Sequence, residues 1–148
     1  MLISTRSRYA LRVLARMAEQ HGAVPLSLSE LSARERVSVR YLEQIFGKLR
    51  TRGLVKGKRG PGGGYVLGMP PDRISLFDVV SILETEFLPA SCLSESGGCF
   101  TGNGAEAHPV ACPLEESCVT RPLWLRLREM YYRFMQEHTL ADLAGGRI

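Results

Sequence analysis

Apolar positions recur every three to four residues through most of the chain, and they mark out helices before any other feature is considered. Ala10, Val13, Leu14, Met17 and Ala18 fall at i, i+3, i+4, i+7 and i+8, which predicts an amphipathic helix over about 7–20, ended at His21-Gly22. Ser27 followed three residues later by Glu30 has the spacing of a capping box, so a short helix carrying Leu28 and Leu31 is expected to run to about Arg36. Ser38 can cap a third helix whose Leu42, Ile45, Phe46 and Leu49 form one apolar stripe, with Gly53 as its stop. Two helices joined by the brief ERVS turn make a helix-turn-helix. The pattern then changes: Leu54-Val55, the tip KGKRGPGGG and Tyr65-Val66-Leu67 read as two short strands of a basic, glycine-rich wing.

Helical spacing returns at Ser75, which with Asp78 predicts a capped helix bearing Leu76, Val79, Val80 and Leu83 and ending before Pro89. Thr120 and Pro122 open a long helix with two apolar stripes. Val119, Leu123, Leu127, Met130 and Phe134 form one, and Trp124, Tyr131 and Met135 the other. Two apolar faces on one terminal helix point to a partner subunit as well as a core, hence a homodimer. The expected fold is mainly α with a small β wing. Residues 1–73 form a winged helix-turn-helix DNA-binding region, 74–90 a linker helix, 91–118 a cysteine-rich loop, and 119–148 a dimerisation helix and tail.

Charge divides along the same boundary. Residues 1–73 carry 14 Lys and Arg against 5 Asp and Glu, net +9, whereas residues 74–148 carry 5 against 10, net −5. The basic half is suited to a polyanion. On the third helix the outward positions are Ser38, Arg40, Tyr41, Glu43, Gln44 and Lys48, a set able to read base edges in the major groove of double-stranded DNA. Lys56, Lys58 and Arg59 on the wing would reach phosphates or an adjacent minor groove. A symmetric dimer would present two such helices to a roughly palindromic operator. GPGGGY lacks the Lys-Ser/Thr of a phosphate-binding loop, and His21, His108 and His138 are scattered with no nucleophile or carboxylate constellation, so no enzyme is expected. No run approaches the ~18 apolar residues of a membrane span, and the N-terminus has no apolar leader; a cytoplasmic protein without membrane contact is expected.

All four cysteines, Cys92, Cys99, Cys112 and Cys118, lie in one glycine-rich stretch. In a reducing compartment clustered thiols serve as metal ligands or redox sensors more often than as structural disulfides. Four thiolates meet the demand of a 2Fe-2S cluster or, alternatively, a 4Fe-4S cluster. Gly97, Gly98, Gly102 and Gly104 would let the backbone wrap around its sulfides. Structural zinc needs the same number of thiolates, although six- and five-residue gaps depart from the usual paired knuckles. A metal-free thiol/disulfide switch needs only two of them.

VSVRYLEQIFGKLRTRGLV followed by RGPGGGYVLG, with STRSRYALRVL before and ISLFDVVSILE after, resembles the winged-helix transcription regulators of the Rrf-two family, and within it the members that carry an iron-sulfur cluster. The resemblance covers nearly the whole chain and implies a dimeric regulator with a cluster-binding loop. The ligand pattern it implies is three cysteines, the last two five residues apart, then a histidine three residues on. Cys118 matches the third cysteine and Cys92 the first; Cys99 matches the second by closeness to Cys92, Cys112 by its gap to Cys118, and GNGAEAH looks inserted between them. Arg121 stands in the histidine position, and a guanidinium cannot ligate iron. Some relatives take an acidic ligand from the N-terminal segment of the other subunit, but Ser7-Arg8-Tyr9 offers no carboxylate. A fourth thiolate then fills the place most naturally, with His108 in reserve.

Overall fold

The computed structural model describes residues 3–20, 24–84, 88–93, 99–101, 108–110, 112 and 114–148, with backbone alone at 91, 99–101 and 108–110. Its helices are α1 Thr5–Glu19, α2 Leu28–Glu35, α3 Val39–Thr51, α4 Leu76–Leu83, α5 Arg121–Glu137 and α6 Leu140–Ala144. Its strands are β1 Val55–Lys58, β2 Gly64–Leu67, β3 Cys99–Thr101 and β4 His108–Val110. Two compact units result: Glu86–Arg133 in one, Ile3–Thr85 with Phe134–Ile148 in the other.

In the second unit each helix begins where a side chain can satisfy a backbone N–H left open at the helix start. Ser4 caps α1, Ser38 caps α3, and Ser27 with Glu30 and Ser75 with Asp78 close reciprocal capping boxes on α2 and α4. The α1 start therefore falls at Thr5, two residues ahead of the expected Ser7. The end of α3 is equally local. Gly53 takes a left-handed φ of 76°, its N–H donates to Arg50 O at 3.0 Å, and that of Leu54 donates to Leu49 O at 3.0 Å. That pair of bonds is the glycine-ended cap that lets the chain turn at once into β1.

The predicted periodic residues of the first three helices make most of the core, joined by Ile74 and Leu140. Leu14, Met17, Leu31, Leu42, Ile45, Phe46, Leu49, Ile74 and Leu140 are fully buried. The wing is antiparallel, with Val55 opposite Leu67 and Lys58 opposite Gly64. It is tied to the helices by paired backbone bonds between Leu26 and Tyr65, at 3.0 and 2.8 Å, and by the edge-on contact of the Tyr65 and Phe46 rings. A side chain at Gly64 would come within 2.5 Å of the Leu26 backbone, so this close approach needs glycine.

Two elements were not expected. Within the expected dimerisation helix and tail, 119–148, Thr139 and Asp142 form a third capping box and start a separate helix, α6, which packs on α1. Thr139 hydroxyl and backbone donors, with Arg147, pull the Asp142 carboxyl down to about 2. The cysteine stretch, read as a loop, contains the β3–β4 pair, with Cys99 opposite Val110.

Candidate nucleic-acid interface and cysteine site

The helix-turn-helix is held rigid from beneath by charge. Glu35, at the end of α2, is only 5% exposed and lies between two arginines of α1: Arg12 Nη2 at 2.8 Å and Arg16 Nε at 2.9 Å. Burial raises its carboxyl, but the bonds from Arg16 and Arg12 outweigh this and hold it below the ordinary range. The next residue, Arg36, turns the chain with φ 53°, a left-handed conformation that costs a non-glycine residue roughly 1 kcal/mol.

Above that support, α3 buries Leu42, Ile45, Phe46 and Leu49 and turns its other side outward. Arg40, Glu43, Gln44 and Lys48 are exposed together, as expected. Ser38 is exposed too, with its hydroxyl accepting from Tyr41 N at 3.3 Å. Tyr41 differs: it is half-buried and stands edge-on to Tyr9, whose ring also carries the Arg12 guanidinium. On the wing Lys56, Lys58 and Arg59 are exposed. Among the described residues no carboxylate pairs with Arg40, Lys48, Lys56, Lys58 or Arg59, which leaves these cations available to phosphate. Arg50 and Arg52, at the end of α3, are exposed and equally unpaired among the described residues. In the sequence they stand as a basic run directly before the stop glycine.

Ser7 is fully buried. With Ser4 it donates to one oxygen of Glu84, Ser4 Oγ at 2.6 Å and Ser4 N at 3.0 Å. Burial raises the Glu84 carboxyl, but these donors together outweigh it and leave it below the usual value. The end of α4 is thereby fixed to the start of α1.

In the other unit, Cys92, Cys112 and Cys118 are each half-exposed. Cys92 lies in a single helical turn, Ser91–Leu93, and Cys112 and Cys118 bracket a turn over 114–117 that leads into α5. The Cys118 thiol sits 3.3 Å from Thr120 Oγ1, and the Thr120 hydroxyl, ahead of backbone N–H groups and Arg121, lowers its pKa. The β3–β4 register sets the Cys99 backbone opposite Val110, two residues before Cys112. The side chains of Cys99 and His108, and Gly97, Gly98, Gly102 and Gly104, lie outside the described residues. Among the described residues no three His, Cys, Asp or Glu side chains gather closely enough to hold a metal ion. Arg121 is occupied elsewhere, paired with Glu115 at 2.7 Å.

Comparison with known proteins joins both halves of the chain to one group. The regulator CymR of Bacillus subtilis is 35% identical over 145 residues, spanning 98% of this chain and 91% of its own. The regulator IscR of Escherichia coli is 33% identical over 147 residues, spanning 99% and 82%. Among solved structures, that of the B. subtilis global cysteine regulator CymR superposes with a TM-score of 0.77 at 34% identity, covering 98% of this chain and 97% of that one. IscR of T. potens superposes with 0.72 at 26% identity, covering 100% and 89%. No helix among the described residues is long and apolar enough to cross a membrane. Residues 3–146 match the Rrf2 family model, described as an iron-dependent transcriptional regulator, and the chain belongs to that family of winged-helix, DNA-binding transcription regulators, which are not enzymes.

Proposed function

We propose that this regulator binds a roughly palindromic operator as a cytoplasmic homodimer, and that its affinity for double-stranded DNA answers to an iron-sulfur cluster held by Cys92, Cys99, Cys112 and Cys118. A 2Fe-2S cluster is the first choice and 4Fe-4S the alternative. The observation that supports the proposal is that all four cysteine positions fall within one compact unit, Glu86–Arg133, in which β4 pairs antiparallel with β3 and sets Val110 opposite Cys99. The donor chemistry fits: thiolates are the ligands such a cluster takes, and the three described cysteines retain access to solvent. When bound, the cluster supplies a group whose presence and oxidation state depend on iron, oxygen and redox conditions.

DNA reading is assigned to Ser38, Arg40, Tyr41, Glu43, Gln44 and Lys48 on α3 and to Lys58 and Arg59 on the wing. Support for the dimer comes from α5 and the turn just before it. Val119 is 92% exposed, Leu123 58% and Met130 59%, and Leu127 and Phe134 are exposed on the same stripe. Met135, from the second stripe, is buried. A row of large apolar side chains facing water is what a second subunit covers.

The likeness to CymR favours a second reading, in which the thiols act without metal. One anaerobic preparation separates the two, with iron, acid-labile sulfide and zinc counted per chain and the absorption spectrum recorded. We expect a coloured protein with iron and sulfide in similar amounts. A colourless protein free of iron and sulfide after reconstitution contradicts the cluster, whether or not it holds zinc, and leaves DNA binding untouched.

A further inference from the structure

The segment between Cys112 and Cys118 is closed by an ion pair. Arg121 opens α5, and its Nη2 lies 2.7 Å from Oε1 of Glu115, in the middle of the intervening turn. Three backbone bonds follow the same path: Glu115 N donates to Cys112 O at 3.0 Å, Ser117 N to Leu114 O at 3.1 Å, and Arg121 N to Cys118 O at 3.2 Å. Cys112, Glu115, Glu116, Ser117 and Arg121 line one polar concavity of about 650 Å³. Of the charged pair, the arginine is the better covered, 28% exposed against 52% for Glu115. An exposed ion pair stabilises a whole fold little, so its effect is confined to the short turn that it closes. A guanidinium carries its charge at every working pH and has no lone pair for a metal, so it can contribute only position and charge.

We propose that Arg121 is a positioning residue for the thiolate site: paired with Glu115, it holds the turn that sets Cys112 and Cys118 at the start of α5, and it keeps a permanent positive charge beside them. The inference rests on the cluster reading above. A thiolate-held cluster is anionic and gains a further negative charge on reduction, so a neighbouring cation favours the reduced state and a neighbouring carboxylate opposes it. The two partners therefore leave a two-sided signature. Removing either one loosens the turn, while the reduction potential moves down when the arginine goes and up when the glutamate goes.

The test uses the full chain, reconstituted anaerobically, as wild type, Arg121→Ala, Arg121→Lys and Glu115→Gln. Iron and sulfide are counted first, then cluster loss to EDTA and the potential are followed by absorption. Arg121→Ala and Glu115→Gln should lose the cluster about threefold faster or more. Their potentials should shift in opposite directions, and Arg121→Lys should keep the wild-type potential while losing the planar fork that holds the turn. Loss rates unchanged in both variants, or potentials displaced in the same direction, would overturn the proposal while the cluster reading stood. A wild type without iron and sulfide defeats that reading instead, and amide hydrogen exchange in the metal-free protein then decides the positioning role. Faster exchange at Glu115, Ser117 and Arg121 in both variants upholds it, and unchanged exchange refutes it.

Discussion

Glu35 and Glu84 show how single carboxylates set the reader's geometry: one joins α1 to α2 through two arginines, the other joins α4 to α1 through two serines. Both have folded values held below the ordinary carboxylate range. Their contribution is therefore present above the unfolded value of ~4.3 and is lost as pH falls through it towards the lower folded values. Glu35→Gln and Glu84→Gln should each cost about 1–2 kcal/mol at neutral pH and flatten the acid limb of stability. Urea unfolding followed by circular dichroism between about pH 3 and 7 checks this, and variants whose pH dependence parallels wild type would contradict it. On the outer surface, Lys58→Ala and Arg59→Ala should weaken binding to all operators and reduce its salt dependence, because phosphate contacts carry no sequence information. Glu43→Ala or Gln44→Ala should instead change which operators are preferred, by about 1–3 kcal/mol at the affected base pair. Affinities across several salt concentrations and a set of mutated operators separate these effects; equal loss on every operator for all four variants would remove the assigned reading head.

Among the elements, α6 is the one whose removal should be felt furthest along the chain. Thr139 and Ser75, the caps of α6 and α4, face each other in an isolated antiparallel bridge, with Leu140 N bonded to Ile74 O and Leu76 N to His138 O, both at 2.9 Å. Leu140 is completely buried. Thr139→Ala should cost about 1 kcal/mol and Leu140→Ala about 2–5 kcal/mol of reader stability, measured by thermal or urea unfolding. Loss of neither would show the C-terminal turn to be an appendage. The same element marks where sequence reading stopped short. Thr139–Asp142 repeats the spacing of Ser27–Glu30 and Ser75–Asp78, but Leu140–Ala144 is too short to display a helical period, so its cap was passed over. The longer helices were legible because cap, apolar stripe and stop glycine agreed, as at Ser38, Leu42 to Leu49 and Gly53. Glu84 was not legible as a latch, since its partners Ser4 and Ser7 stand 80 and 77 residues away and no local pattern announces the pairing. The β3–β4 pair was obscured by the glycine-rich composition around it. The Arg121 substitution was visible at once, but its bond to Glu115 was not.

At the scale of the whole molecule, one chain carries both a DNA-binding unit and a thiol-bearing unit. Helix α4 ends at the Glu84 latch just before Glu86–Arg133 begins, and α5 runs from Arg121 in that unit to Glu137 in the other. An apolar groove of about 640 Å³ runs along α1 and α6, lined by Leu11, Ala15, Leu143 and Ile148 among others. In the proposed dimer, the exposed stripe of α5 would bring two readers, and with them two copies of α3, to one operator. Ligand control then requires that loaded and unloaded states differ in DNA affinity, since a group bound equally well by both states shifts nothing. The most direct measurement is operator affinity, by fluorescence anisotropy at fixed salt, for a single anaerobic preparation before and after the cluster is removed by chelation, with iron and sulfide counted in each sample. The account predicts affinities differing by at least about fivefold, the lower end of typical coupling. Equal affinities for the loaded and stripped protein, on operators that both bind specifically, would contradict it.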